Sequence, residues 1–374
     1  MAERQAKASW FQRYLLPGFA FKAVVIGGGY ATGRELAEFF LPHGPVGGIA
    51  AILLAMAVWS GICALTFVFA QATQSYDYRS FFKQLLGPFW LGFELAYLLF
   101  IILILAVFGA AAGAIGEALF GLPKIVGTLA LVISIAAVVA LGNRAVEGLF
   151  KWVTIFLYGV YAVFAVLALS AFGDRAAANF AAPPAPMGEW WLGGLTYAGY
   201  NIIGAVVILP VVRHLTTRKD AIVAGLLAGP LAIWPALVFF ICMIAFYPAI
   251  ANETLPSDYL LRRLNVPVFH IIFQIMIFSA LLESGAGSVH AFNERVAGAY
   301  RARRGKELSA RSRLGIAVLI LIGAVFLADM LGLVTLIAQG YRVLALTILI
   351  LFIAPLLTLG IWRLRARSAV QTTT

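Results

Sequence analysis

Long apolar runs, separated by short polar stretches, dominate the chain. Ten of them come close to or exceed the roughly 20 residues that a helix needs to cross hydrocarbon. They lie at residues 17–41, 46–71, 88–114, 122–142, 146–172, 190–213, 220–247, 267–297, 313–332 and 336–362. The two-residue alternation of a transmembrane strand is absent from these runs. The pattern predicts an all-α polytopic membrane protein with about ten transmembrane helices, spans 1 to 10.

Two spans break the pattern. Span 1 holds Gly27, Gly28, Gly29 and Gly33 within seven residues, followed at once by Arg34 and Glu35. An apolar anchor has no use for such a stretch, whereas a helix that opens and offers backbone groups does. Span 6 carries Gly199, Asn201 and Gly204 near its middle, then Pro210, which removes a further donor. Between spans 5 and 6, residues 178–188 are rich in proline. That stretch divides the chain into halves of five spans each, and an odd number of spans makes the halves opposite in orientation. Interrupted helices at matching places in two such halves mark an inverted-repeat transporter. The expected organisation is a cytoplasmic segment 1–16, a first repeat 17–172, an external loop 173–189, a second repeat 190–362 and a cytoplasmic tail 363–374.

Composition agrees. Of 374 residues, 63% are hydrophobic and 11% charged, with a mean hydropathy of +0.97. A soluble fold of this size has no way to cover so much apolar surface. The net charge of +11 suggests nucleic acid until its placement is considered. Loops on one side hold nineteen Lys and Arg residues and those on the other hold four, Lys124, Arg175, Arg262 and Arg263. By the positive-inside rule the charge is topological, and it places both termini in the cytoplasm of a multi-pass protein of the bacterial inner membrane. No nucleic-acid partner is expected, and oligomeric state is not readable. Cys63 and Cys242 lie inside apolar runs and read as small buried side chains.

Candidate chemistry follows from polar groups at membrane depth, which are functional by default. Backbone freed at Gly27, Gly28 and Gly29, with Tyr30 and Thr32, faces Tyr197, Gly199, Tyr200 and Asn201 of span 6 as a candidate substrate site. Arg34 and Glu35 are adjacent, so they point about 100° apart and need separate partners. Glu35 is a candidate proton carrier and Arg34 a candidate partner for a substrate carboxylate. On span 8, Glu283 lies near mid-depth, and Ser284 and Ser288 share one face, where their hydroxyls suit Na+. Bonding of those hydroxyls to their own helix is the plainer reading. Lys151 in span 5 is a candidate stand-in for a coupling cation, with snorkelling as its structural alternative. Asp329 and Arg342, placed similarly about the turn between spans 9 and 10, are expected to form a structural ion pair. The coupling ion is H+ or Na+, with no other cofactor. No phosphate-binding loop or clustered catalytic set occurs, so no enzyme is expected.

The stretch Ile26-Gly-Gly-Gly-Tyr-Ala-Thr-Gly-Arg-Glu35-Leu-Ala-Glu-Phe-Phe40 resembles the first-helix signature of the YkvI-type bacterial membrane proteins, Gly-Ala-Gly-Phe-Ala-Ser-Gly-Gln-Glu followed by a Phe pair. Tyr197 to Asn201 and Glu283-Ser284-Gly285 fit the same resemblance. Arg34 departs from it, standing where a neutral residue is expected. That group resembles the amino acid–polyamine–cation superfamily. The resemblance implies a LeuT-type five-plus-five repeat, with substrate between spans 1, 3, 6 and 8 and a cation between spans 1 and 8. The Asp-Pro-Gly-Asn and Met-Pro-His motifs of its metal-transporting branch do not occur, which argues against transition-metal transport. The expected function is secondary transport of a small polar organic solute, an amino acid or related zwitterion. A non-transporting sensor and an ion channel are the alternatives.

Overall fold

Where the apolar runs are unbroken the chain forms long helices. The computed structural model describes residues 9–141, 143–183 and 186–372, with side chains except at 28, 29, 143–151, 299, 302, 310 and 368–372. No strand occurs among the described residues. Seven helical stretches are long and apolar enough to cross a membrane. The rest of the ten spans are hidden from that count for a physical reason. Spans 1 and 6 are cut into short pieces, and spans 9 and 10 run on as one stretch, 311–367.

Spans 2 (Gly44–Thr73), 3 (Trp90–Phe120), 4 (Lys124–Leu141), 7 (Arg218–Ile244) and 8 (Pro267–Arg304) are continuous helices. Span 5 is helical over Asn143–Ala181, so the loop expected from residue 173 begins about nine residues later. Its end agrees with the proline at 183, since the residue before a proline is driven out of helical geometry. The tail expected from residue 363 is likewise helical, within Ile361–Thr372. Two short amphipathic helices were not anticipated. Tyr78–Leu86 starts at Asp77, whose side chain accepts the Ser80 amide, and buries Phe81, Phe82 and Leu85 at helical spacing. Pro256–Leu264 opens on a proline and buries Leu260 and Leu261.

The packing has a reciprocal order. Span 1 packs on span 7 and span 6 on span 2; span 3 packs on span 9 and span 8 on span 4; span 8 meets span 5 and span 3 meets span 10. Exchanging each span with the one five places later maps these contacts onto one another. That is the signature of a five-plus-five inverted repeat.

Contacts between spans rely on small residues, because lipid offers no hydrophobic drive for association. At Gly225 on span 7 an added Cβ would lie 2.2 Å from the Ala64 Cα of span 2. One turn further on, the Ser60 hydroxyl donates to the Leu226 carbonyl at 2.9 Å. The opposite faces of spans 9 and 10 expose Leu319, Phe326, Leu346 and Ile350 to the bilayer.

Span 9 carries a correction. Asp329 and Arg342 were expected to pair, but Asp329 is exposed and Arg342 lies 3.7 Å from Glu38 of span 1. The helix is interrupted at Gly332 (φ 70°, ψ 167°) rather than midway between the two charges. Asp329 is thus three residues from the break and Arg342 ten, which at about 1.5 Å per residue separates their depths by roughly 10 Å.

Replacing Gly225 by Ala is expected to destabilise the fold by about 1–3 kcal/mol through overpacking. Gly61→Ala, at a helical glycine with nothing within 4 Å of the new Cβ, is expected to be neutral or stabilising by up to about 1 kcal/mol from helix propensity. Thermal unfolding of both variants in detergent gives the signs, and a stabilising Gly225→Ala contradicts the packing.

Candidate functional site

Span 1 is broken twice. Helix Leu16–Val25 ends at Ile26 (φ −77°, ψ 70°), and the Gly27 amide turns back onto the Val25 carbonyl at 2.8 Å. A single turn, Gly28–Ala31, follows. Gly33 then adopts φ 77°, a left-handed geometry that other residues resist, and the Phe239 ring leaves no room for a Cβ there. Helix Arg34–Phe39 completes the span. Span 6 deforms less. Helix Trp190–Asn201 passes through Ile202 and Ile203 into Gly204–Val207 and Leu209–Val212, with φ/ψ of −64°/−14° and −55°/−27° at the two linking residues. There the Ala205 and Val206 amides bond three residues back, at 3.0 Å each. The expected interruption at Gly199 to Gly204 is therefore a tightened turn, because no residue within it adopts a positive φ.

Groups freed by the break in span 1 find partners in the connection between spans 7 and 8. The Thr32 carbonyl accepts the Ser257 amide at 3.0 Å. Arg34, only 7% exposed in its side chain, donates to the Ala251 and Glu253 carbonyls at 2.9 Å each and pairs with Glu38 at 2.9 Å. Arg34 is thereby committed to a loop, away from any cavity, and does not meet the role of carboxylate partner expected of it. Phe39 and Phe40 pack under this clamp against Tyr197.

Glu35 points elsewhere. It is 4% exposed and accepts the Tyr200 hydroxyl at 2.5 Å. It lines a cavity of about 230 Å³ together with Gly27 of span 1, Tyr97, Phe100 and Phe108 of span 3, Tyr200 and Asn201 of span 6, Ser284 and Ser288 of span 8, and Tyr341 of span 10. The end formed by Glu35, Tyr200 and Tyr341 is closed, with each residue at most 4% exposed. Towards the termini the lining is open at Ala23, Val24 and Val207. The cavity therefore faces the side of the termini and is sealed on the other side by the Arg34 clamp.

Other expected site residues, Ser284 and Ser288 excepted, lie outside this cavity. Tyr30 and Tyr197 are buried in the aromatic packing behind Glu35, their hydroxyls without hydrogen-bond partners among the described residues. Gly199 lies against Ala345, and Thr32 accepts the Arg34 amide at 3.3 Å. Glu283 turns to span 5, where the Thr154 hydroxyl donates to it at 3.4 Å. The Ser288 hydroxyl donates to the Ser284 carbonyl of its own helix at 2.8 Å. The surroundings of Gly28 and Gly29 and the side chain of Lys151 lie outside the described residues. Sequence reasoning missed Tyr97, Phe100, Phe108 and Tyr341. A signal existed, since residues 97, 100, 104 and 108 form one helical stripe of span 3, all lining the cavity.

Near the mouth the Arg295 guanidinium lies over the Tyr78 and Tyr97 rings at 3.7 and 3.8 Å, and the Tyr78 hydroxyl donates to Glu94 at 2.9 Å. The N-terminal helix Trp10–Tyr14 is tied to span 7: Arg13 and Tyr14 donate to Asp220 at 2.6 and 3.0 Å. Those hydrogen bonds raise the pKa of both groups.

Glu38→Leu leaves the Arg34 guanidinium without its counter-ion and is expected to cost about 3–5 kcal/mol. Arg34→Leu is expected to cost less in the Glu38→Leu background than alone. A double-mutant cycle read by thermal unfolding should give a coupling of about 0.5–3 kcal/mol, and zero coupling contradicts the pair.

No family model matches the chain. The uncharacterized membrane protein YkvI of Bacillus subtilis (strain 168) is 24% identical over 284 residues, covering 74% of this chain and 79% of that one. Among solved structures, MhsT in complex with L-phenylalanine matches with a TM-score of 0.60 at 17% identity, covering 92% of this chain and 89% of that chain. The Eremococcus coleocola manganese transporter, bound to an aromatic bis-isothiourea compound, matches at 0.58 and 16%, covering 96% and 81%. A substrate-bound Na+-coupled sialic acid symporter matches at 0.56 and 14%, covering 92% and 78%. With the reciprocal packing and the broken first span, these likenesses show the LeuT-type fold in an all-helical membrane protein that resembles the YkvI-type bacterial membrane proteins.

Proposed function

We propose that the protein is a secondary active transporter that moves a small polar organic solute, an amino acid or related zwitterion, by alternating access. One observation carries this reading: the cavity formed where span 1 breaks, with a buried carboxylate at its closed end and an opening on the side of the termini. A site at mid-chain depth that is sealed on one side and open on the other is what alternating access requires of each of its end states. The arrangement of side chains also separates gate from site. Arg34 holds the seal, while Glu35, one residue on, faces the solute.

The neighbours in fold support the class. One is a Na+-coupled symporter and another is bound to an amino acid. Coupling to Na+ is supported by the oxygen atoms of Ser284 and Ser288 on the cavity wall. Coupling to H+ is supported by the carboxyl groups of Glu35 and Glu283. The excess of Lys and Arg on the side of the termini favours an inner-membrane protein with both ends in the cytoplasm.

Reconstituted in liposomes, the protein is expected to accumulate a radiolabelled amino acid when a Na+ or a pH gradient is imposed, and to lose at least tenfold of that uptake on Glu35→Gln. Saturable uptake dependent on one gradient identifies the coupling ion. Binding without flux under either gradient contradicts transport and favours a sensor.

A further inference from the structure

We infer that the cavity selects solutes by a protonated amine, with Glu35 as the counter-ion of the substrate's ammonium group and aromatic rings as the wall around it. The inference rests on the reading of this cavity as the solute site, and it names the class of solute.

The charge balance of the cavity is the first argument. Glu35 is the one Asp, Glu, Lys, Arg or His among the described residues that line it. A solute carboxylate finds no cation there. The nearby cations are engaged elsewhere: Arg34 with Ala251, Glu253 and Glu38, Arg342 near Glu38, Lys22 over the Tyr158 ring at 4.1 Å, and Arg295 between Tyr78 and Tyr97. A buried carboxylate left alone is costly, so the site favours a guest that neutralises it.

The wall is the second argument. Tyr97, Phe100, Phe108, Tyr200 and Tyr341 present five rings to a space of about 230 Å³. Aromatic faces attract a cation most where water is excluded. The Tyr200 and Tyr341 rings lie with centroids 4.3 Å apart, tilted by 36°, at the closed end beside the carboxylate. Behind them the hydroxyls of Tyr30, Tyr161 and Tyr197 are buried with no hydrogen-bond partner among the described residues. The ring faces suit a cation, and the one phenol hydroxyl shown to donate to a carboxylate among the described lining residues, that of Tyr200, is already committed to Glu35.

A consequence concerns coupling. The groups facing Glu35 from spans 1, 5, 6 and 10 are the phenols of Tyr30, Tyr161, Tyr197, Tyr200 and Tyr341. On its own helix, Arg34 and Glu38 are paired with each other, and in the turn Leu41–His43 that follows, His43 faces the Met187 carbonyl at 3.1 Å. One carboxylate is thus neutralised by a proton or by an ammonium group, not by both. Proton and amine compete, which makes this carboxylate a point of exchange rather than of joint binding.

The test is a thermal-shift and equilibrium-binding series on the purified full chain. The probes are protonated amines from methylammonium to 2-phenylethylammonium, the matched amino acids, and the matched carboxylates, 3-phenylpropionate among them. Amines are expected to stabilise the protein, with or without a carboxylate on the same molecule, and the matched carboxylates that lack an amine to give no shift. Glu35→Gln is expected to weaken amine binding at least tenfold, with Glu35→Asp retaining part of it should the Gln variant fail to fold. Lowering the pH is expected to weaken amine binding by up to about tenfold per unit as protons take the site. Carboxylates binding as well as amines, no amine binding at all, or amine binding unchanged in both Glu35 variants each overturns the inference. Amine binding without flux in liposomes leaves the inference standing and removes the transporter reading. Flux of a carboxylate solute that survives Glu35→Gln does the reverse.

Discussion

A helix in hydrocarbon has no freedom to break unless the peptide groups it releases find partners. The break in span 1 meets that constraint with the connection between spans 7 and 8. The Ser257 amide closes on the Thr32 carbonyl, and Arg34 reaches the Ala251 and Glu253 carbonyls. The short helix Pro256–Leu264 is placed by that demand, and so is the seal over the cavity. Gly33 supplies the left-handed turn that aims Arg34 outward and Glu35 inward. Remove the turn and the two charges lose their division of labour.

The asymmetry between the two broken spans has a chemical cause. Both halves carry glycines at the matching place, yet span 1 opens fully and span 6 only tightens. Gly33 adopts a positive φ beside a polar loop that accepts its neighbours. In span 6, Gly199 is packed on Ala345 and Gly204 on Phe21, so the chain has neither the room nor the partners to unwind. What span 6 contributes is the Tyr200 hydroxyl, which crosses to Glu35 and ties the two halves together at the closed end of the cavity.

Much of the architecture was legible in the sequence, because the apolar runs and the glycines with adjacent charges are local signals. Ten spans, the five-plus-five order and the break at 26–33 follow from them. What the sequence did not carry was the partner of each charge. Arg342 was assigned to Asp329 by counting from a turn, and the count failed because Gly332 moved the turn. Tyr30 and Tyr197 fit the sequence equally as pocket residues and as packing aromatics, and packing places both behind the cavity. Tyr97 and Tyr341 reach the cavity through rotations of long helices that only tertiary packing sets.

The adjacency of Arg34 and Glu35 then carries a mechanical meaning. Because the two residues share one short rigid helix, Arg34–Phe39, a movement that frees the Arg34 clamp also moves the carboxylate. Opening the seal costs several hydrogen bonds to a charged group, each worth about 1.5–3 kcal/mol. A guest that neutralises Glu35 changes the charge of that same helix without touching the clamp. On the proposed reading, solute and seal are coupled through one short helix rather than through a long chain of contacts, and the Tyr200 hydroxyl links that helix to span 6. The residue that meets the solute and the residue that holds the seal are, on that reading, neighbours in the sequence.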